Sequence, residues 1–330
     1  MSDWSGRRTL VTGAGGFIGS HLTELLVSRG AGVRAYVHYN ARNDWGNLEL
    51  VPPDIRSEIE VVMGDIGDPF SVARAVADCD QVFHLAALIG IPYSYIAPHT
   101  YVETNIVGTL NVLEAVRGKS GTRLVHTSTS ETYGTARYTP IDEDHPLQGQ
   151  SPYSASKVGA DKMVESYVRS FEIPAATLRP FNTYGPRQSL RAVIPTIAAQ
   201  AMAGDVVRLG SLSPVRDFTF VTDTARAFVA VAESDAALGG TFNAGNGKGI
   251  TVGEVAQMIL EILGSNAGIE ADDARVRPAA SEVFTLLADT TAITATTGWQ
   301  ATVGLRDGLA QTIDYIRDRL PRLKPDLYTV

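Results

Sequence analysis

The chain is 330 residues long, 44% hydrophobic and 19% charged, with a formal net charge of −8. That length suits one large core joined to a smaller lobe. An acidic chain without a basic stripe argues against a nucleic-acid partner. No apolar run reaches the length of a membrane span, and residues 1–8 are polar where a signal peptide would be apolar. Cys79 is the single cysteine, so no internal disulfide can form. A cytoplasmic protein is expected.

Taken in chain order, residues 9–12 read as a short buried strand running into a turn at Gly13. A helix is expected over 17–28, strands over 33–37 and 59–63, a helix over 71–77 and a strand over 81–85. A long helix over 101–117, a strand over 123–127 and a helix over 156–171 follow. Strands alternating with helices predict an α/β, Rossmann-type, doubly wound parallel sheet with right-handed crossovers. After Pro180 the pattern loosens, with turn signals at Tyr184-Gly185-Pro186, Gly239-Gly240 and 245–249. Helices recur there over 194–203, 223–233, 252–263 and 304–319. The expected organisation is a dinucleotide-binding domain over 1–180, rejoined by segments near 218–245, with 181–330 forming mainly a smaller, interleaved C-terminal substrate-binding lobe.

Between the first strand and the first helix stands Gly13-Ala14-Gly15-Gly16-Phe17-Ile18-Gly19. Gly13 permits a sharp turn, Gly16 a close approach of backbone to a pyrophosphate, and Gly19 close packing of helix on sheet. Phosphates would lie at the helix N-terminus, over Phe17 and Ile18. The acidic residue expected after the second strand, which would favour NAD over NADP, is replaced by Asn40, with Arg42 nearby. NAD is the expected cofactor and NADP is left open. Asp65, with Ile66 beside it, is placed either to meet the adenine or simply to form a loop turn.

Tyr153 and Lys157 stand one helical turn apart, so phenol and ammonium share a face. The ammonium is expected to lower the phenol's pKa toward use as a proton carrier. Glu131 lies at the expected end of a strand, where open parallel sheets meet their ligands, and supplies a carboxylate for a second proton transfer. His84, in an apolar strand, reads as a packed core histidine. Cys79, flanked by Asp78 and Asp80, is expected to have its pKa raised by those carboxylates and receives no role. No His/Cys/carboxylate cluster has metal-ligand spacing.

These residues resemble the extended short-chain dehydrogenase/reductases of the NAD-dependent epimerase/dehydratase family. The likeness rests on Gly13/Gly16/Gly19, on His84-Leu85-Ala86-Ala87, on Thr129 with Tyr153 and Lys157, and on Arg179-Pro180-Phe181-Asn182, and it runs to Gly298-Trp299. Within the family the chain is most similar to nucleotide-sugar 4,6-dehydratases. Residues 128–134 look most like GDP-mannose 4,6-dehydratases and N-acetylhexosamine dehydratases. Ile91-Pro92-Tyr93-Ser94-Tyr95 and Pro186-Arg187-Gln188 strengthen the latter likeness.

The resemblance implies that Leu85, Ala86 and Ala87 line the cofactor and that Lys157 holds its nicotinamide ribose. Thr129 would hydrogen-bond the sugar's 4-hydroxyl and Tyr153 would take its proton. Ser94 and Asn182 would bind substrate, Arg216 and Arg277 would clamp its diphosphate, Glu282 would accept from its ribose, and backbone at Val193 would face its base. dTDP-glucose dehydratases carry Asp where this chain has Ser130, a far weaker acid, so Glu131 would serve as base and then as acid. A UDP-glucuronate decarboxylase, an NDP-sugar 4-epimerase and, outside enzymes, a cofactor-binding regulator are the competing readings. Apolar residues on the helices over 101–117 and 156–171, including Ile106, Leu110, Leu113, Met163 and Tyr167, predict a homodimer.

Overall fold

The computed structural model describes residues 3–276 and 278–325. Its main sheet is built from β1 (Arg8–Thr12), β2 (Gly32–His38), β3 (Ile59–Gly64), β4 (Gln81–His84), β5 (Arg123–Thr127), β6 (Ala175–Pro180) and, from far later in the chain, β10 (Thr241–Ala244). All seven are parallel, in the order β10-β6-β5-β4-β1-β2-β3. β4 and β6 are buried along their whole length. A parallel sheet covered on both faces demands such continuous burial.

The crossovers are α1 (Phe17–Ser28), α2 (Pro53–Ser57), α3 (Pro69–Val76), α4 (Ile91–Ile96), α5 (Pro98–Tyr101), α6 (Gly108–Arg117) and α7 (Pro152–Phe171). Leu10, Val112, Leu113, Val164 and Tyr167 form the core under one face. Leu22, Leu26, Phe228, Ile293 and Trp299 fill the other. The chain runs from β1 to β2 on one side and then back to β4 on the other. This reversal opens a crevice at the strand C-termini, where ligands of such sheets bind.

After β6 the chain leaves the main sheet. β7 (Asn182–Tyr184) pairs with β9 (Val215–Phe220), which also pairs with β11 (Gly249–Thr251) and β13 (Thr285–Leu286). β8 (Val206–Leu209) and β12 (Gly268–Ala271) make a separate parallel pair. Against these lie α8 (Val193–Ala203), α10 (Val252–Leu263) and α12 (Leu305–Arg317), around Ile197, Val207, Ile259 and Ile313. α9 (Val221–Glu233) and α11 (Thr291–Thr297) return to the main sheet. No described helix is long and apolar enough to cross a membrane.

Several expectations need correction. The helix expected over 101–117 is α5, a π-helical segment over Val102–Val107, and α6. α7 starts at Pro152 rather than 156, because Ser151 caps it reciprocally with Ser154 and Pro152 fills the first turn. Leu113 and Tyr167 are packed into the sheet's core and do not face outward. Cys79 is fully buried, and burial itself is the largest cause of its raised pKa.

Candidate active site

The glycine turn has the geometry of a phosphate cradle. Gly13 has φ +69°, and a Cβ there would lie 2.8 Å from the Ala86 nitrogen. A Cβ at Gly19 would collide with the Gly13 carbonyl. Only glycine tolerates both demands. α1 begins after an extended Gly16 with no side-chain cap, so its first N–H groups and dipole face the crevice mouth. Phe17 and Ile18 form its half-buried first turn, and the backbone of Leu85 and Ala86, after β4, lies against Gly13, with Ala87 next in the chain.

The nucleoside side differs in detail from the expectation. The Asn40 amide is committed to its own loop: it donates to the His38 and Asp44 carbonyls and accepts from the Arg42 and Asp44 N–H groups. Asp65 is exposed and its carboxylate accepts from Gly67 N–H at 2.8 Å, the turn reading. Ile66 is buried, and its carbonyl accepts from the Asn111 amide.

Thr129, Glu131 and Tyr153 converge where β5 ends. Ser130–Tyr133 is a 3₁₀ turn capped by Thr129, whose hydroxyl accepts from Glu131 N–H at 3.3 Å. Ser130 is buried in this turn. Tyr153, in the first turn of α7, is 7% exposed and packs on Tyr101, Ile91 and Leu88. Burial pushes its phenol well above the ordinary value, a hydrogen bond with Thr129 pulls it down, and the Glu131 carboxylate adds to the rise. The expected lowering of the phenol is therefore reversed in this state. Lys157 Nζ donates to the Thr127 carbonyl at 2.7 Å. Burial pulls the Lys157 pKa down to about 8, against the opposing pull of Asp161.

Beneath this trio lies a polar network that the sequence reading missed. Asp161, on α7 and 6% exposed, accepts from Ser128 Oγ at 2.7 Å, His126 Nε2 at 3.3 Å, and Arg179 Nε and Nη2 at 3.2 and 3.0 Å. Burial alone would raise its carboxyl; the His126 hydrogen bond and Arg179 charge lead the effects that bring it down to about 2. Arg179 continues to Tyr133 OH, which donates to Asn243 on β10. The available signal was a run of polar residues at positions whose neighbours are core: His126, Ser128, Asp161 and Arg179.

The residues assigned to substrate are partly brought together. Arg216 and Glu282 face each other at 3.5 Å, both largely buried, although they were assigned to different parts of the ligand. Arg216 Nη1 also donates to the Val215 and Phe284 carbonyls. Asn182 heads β7, and its Oδ1 is buried without a hydrogen-bond partner among the described residues. Val193 opens α8, which has no side-chain cap. Ser94 is buried and its hydroxyl donates to the Ile91 carbonyl of its own helix. Arg277 lies outside the described residues. Among the described residues, no group of three or more His, Cys, Asp or Glu could hold a metal ion.

The model of the GDP-mannose 4,6 dehydratase family matches residues 10–312. The chain is 32% identical to a dTDP-glucose 4,6-dehydratase of Xanthomonas campestris, over 96% of this chain and 93% of that one. It is 30% identical to UDP-glucuronic acid decarboxylase 1 of Danio rerio, over 97% of this chain and 75% of that protein. Its structure is similar to that of the UDP-glucose 4-epimerase of Thermus thermophilus in complex with NAD, with a TM-score of 0.83 and 32% identity over 94% of this chain and 99% of the other. A match this extensive, on a sheet with the site at its switch point, means that the chain belongs to the GDP-mannose 4,6 dehydratase family.

Proposed function

We propose that this protein is an NAD-dependent nucleotide-sugar 4,6-dehydratase, acting on an NDP-hexose or NDP-N-acetylhexosamine. The observation that carries the reading is the placement of a third proton-handling group, Glu131, beside the Thr129–Tyr153 pair. Oxidation at carbon 4 needs only a base for one hydroxyl, so a neighbouring carboxylate points to a second proton transfer. The glycine cradle at Gly13, Gly16 and Gly19, closed by Leu85–Ala87, fits a dinucleotide. The NAD in the Thermus epimerase complex supports the choice of cofactor. Residues 1–180, with the returning strand β10, would hold it, and most of 181–330 would hold the sugar nucleotide.

When bound, the dinucleotide would supply reversible hydride acceptance at the sugar. Thr129 would orient the 4-hydroxyl and Tyr153 would take its proton. Lys157 would stabilise the phenolate form of Tyr153 that accepts this proton and becomes neutral phenol, since an ammonium one turn away favours the charged phenol. The 4-ketone makes the carbon 5 proton acidic, and Glu131 would remove it as the carbon 6 hydroxyl departs. Glu131, then protonated, would serve as the acid, because Ser130 is far too weak for that task. Arg216 would meet the diphosphate, leaving Glu282 to the ribose; a guanidinium suits that task through its fork of donors.

The decarboxylase relative keeps one alternative in view, since a 4-keto uronate loses carbon dioxide by the same electron flow. We also propose a homodimer, using the exposed Val102, Val107 and Phe171 on the π-segment and α7; a monomer in sedimentation at micromolar concentration would remove that part. The test of the reaction is incubation with a panel of NDP-sugars and mass spectrometry of the products. Loss of water supports the dehydratase. Loss of carbon dioxide, or an unchanged mass with inverted carbon 4, would overturn it.

A further inference from the structure

His84 stands on β4, fully enclosed, and takes no part in the chemistry above. Its Nδ1 lies 2.8 Å from Thr12 Oγ1, and its Nε2 lies 3.0 Å from Thr109 Oγ1. The two hydroxyls have different outer partners, and these determine where the imidazole proton sits. Thr12 Oγ1 already accepts from the Leu85 and Ala86 N–H groups, both at 3.1 Å, the Leu85 N–H being shared with the Thr12 carbonyl at 3.2 Å. A hydroxyl has two lone pairs and one proton, so Thr12 must donate to His84 Nδ1. Thr109 Oγ1 donates its only proton to the Asn105 carbonyl at 2.6 Å, so it must accept from His84 Nε2–H. Both ends select the same neutral tautomer, protonated on Nε2.

Each end of this bridge reaches a working part of the site. Through Thr12 it holds the Leu85–Ala86 backbone, the surface that Gly13 approaches too closely for any Cβ. Through Thr109 it reaches Asn105, in the π-helical segment. The Asn105 amide accepts from Leu88 N–H at 2.8 Å and donates to the Leu88 carbonyl and to Ser156 Oγ, both at 2.9 Å. Ser156 Oγ in turn donates to the Tyr153 carbonyl at 2.7 Å. The hydrogen bonds are thus continuous from the glycine turn to the backbone of Tyr153. An unpaired buried polar group is costly, so every link in such a chain constrains the next.

We propose that His84 is a positioning residue, a neutral Nε2–H imidazole that fixes the dinucleotide wall at Leu85–Ala86 in register with the helix that carries Tyr153. The inference rests on the dinucleotide reading for its ligand, but not for the tautomer. The ring is surrounded by His126, whose centroid is 5.6 Å away, and by the Lys157 charge, and burial with these two neighbours holds its pKa well below the ordinary value. A doubly protonated ring would also aim Nδ1–H at a Thr12 oxygen that already accepts from two N–H groups, leaving the Thr12 proton without its acceptor.

The test uses the full chain labelled with ¹⁵N-histidine. Its six histidines are resolved by NMR, with His84 assigned by its absence in H84Q and H84N. The expected spectrum has a protonated Nε2 and a bare Nδ1, unchanged from about pH 5 to 9, a range in which ordinary histidines titrate. An Nδ1–H tautomer, or titration within that range, would overturn the proposal whether or not dinucleotide binds. Calorimetry with NAD then separates the two ends. His84→Asn can still accept from Thr12 and is expected to keep affinity within about threefold, whereas His84→Gln reaches toward Thr109 and should weaken it about tenfold, the loss of one buried hydrogen bond. Thr109→Val, which keeps the wall intact, should retain affinity and lower kcat about tenfold, and it serves if the histidine variants do not fold. Equal NAD affinity in Gln and wild-type proteins, or unchanged kcat in Thr109→Val, would sink the idea. Failure of the wild type itself to bind NAD, with the tautomer as expected, would count against the proposed function alone.

Discussion

Replacing Asp161 by Asn tests how far the buried network supports the site. The side chain is nearly isosteric, so packing is preserved, but the negative charge facing Arg179 disappears. Asp161 Oδ2 accepts from Ser128 Oγ and from two nitrogens of Arg179, and Oδ1 accepts from His126. An amide offers one oxygen and turns an NH₂ toward existing donors. Arg179 would remain charged and 5% exposed, and orphaning one partner of a buried ion pair costs about 3–5 kcal/mol. The loss is read by urea unfolding near neutral pH. Its pH dependence is distinctive: Asp161 has a folded pKa of about 2 against an ordinary 3.8. Its contribution is therefore present above the ordinary value and is lost as pH falls through about 2. The wild-type advantage should narrow by about 2 kcal/mol on acidification across that window. Lys157, whose pKa near 8 is held up only by Asp161, should also lose its proton at lower pH, moving the alkaline limb of activity toward neutrality. A stability loss below about 1 kcal/mol, smaller than any buried pair should give, would mean that Asp161 and Arg179 are not coupled as a buried pair.

Other outcomes follow from the same geometry. Gly13→Ala should strain a positive-φ position and push a methyl into the Ala86 backbone, costing about 1–3 kcal/mol and weakening dinucleotide binding in calorimetry; an unchanged dissociation constant would contradict the cradle. Asp217 is buried and its pKa is pushed up to about 6 by burial, against backbone hydrogen bonds from Asn246, Gly247 and Ala288. Its raised value means stability present below the ordinary 3.8 and lost as pH rises through about 6, so Asp217→Asn should gain about 2–3 kcal/mol relative to wild type over that window; a pH-independent difference would refute it. Tyr153→Phe should lower formation of the 4-keto sugar by about a hundred- to ten-thousand-fold, while calorimetry shows sugar-nucleotide affinity close to wild type; retained turnover would remove Tyr153 from its role.

The alternating half of the fold was legible because its elements end on strong local signals. The helix over 252–263 was read to the residue: Thr251 and Glu254 form a capping box, and Gly264 closes it in the left-handed region. The strand over 123–127 matched likewise. The π-helical segment over Val102–Val107 was not legible, since one inserted residue leaves the apolar spacing of a helix almost unchanged. The short strands β7, β8 and β13 depend on partners distant in sequence. In the site, Thr129, Glu131 and Tyr153 could be selected because their chemistry is distinctive and the turns around them are local. Asp161, His126 and Arg179 could not, because only the packing of α7 on β5 and β6 makes their charges face one another. The same packing overturned the expected low phenol pKa: spacing places Lys157 near Tyr153, but burial decides the sign.

Whether Glu131 adds a second proton transfer to a Thr129–Tyr153 oxidation site is decided by Glu131→Gln in deuterated solvent with the NDP-sugar that the wild type dehydrates. Products are followed by mass spectrometry and proton NMR. The wild type should yield a dehydrated sugar carrying deuterium at carbon 5. The variant should accumulate traces of the non-dehydrated 4-keto sugar, without deuterium at carbon 5, and lose dehydrated product by about a hundredfold or more. Near-normal dehydration by Glu131→Gln, with deuterium still entering carbon 5, would contradict that role for Glu131.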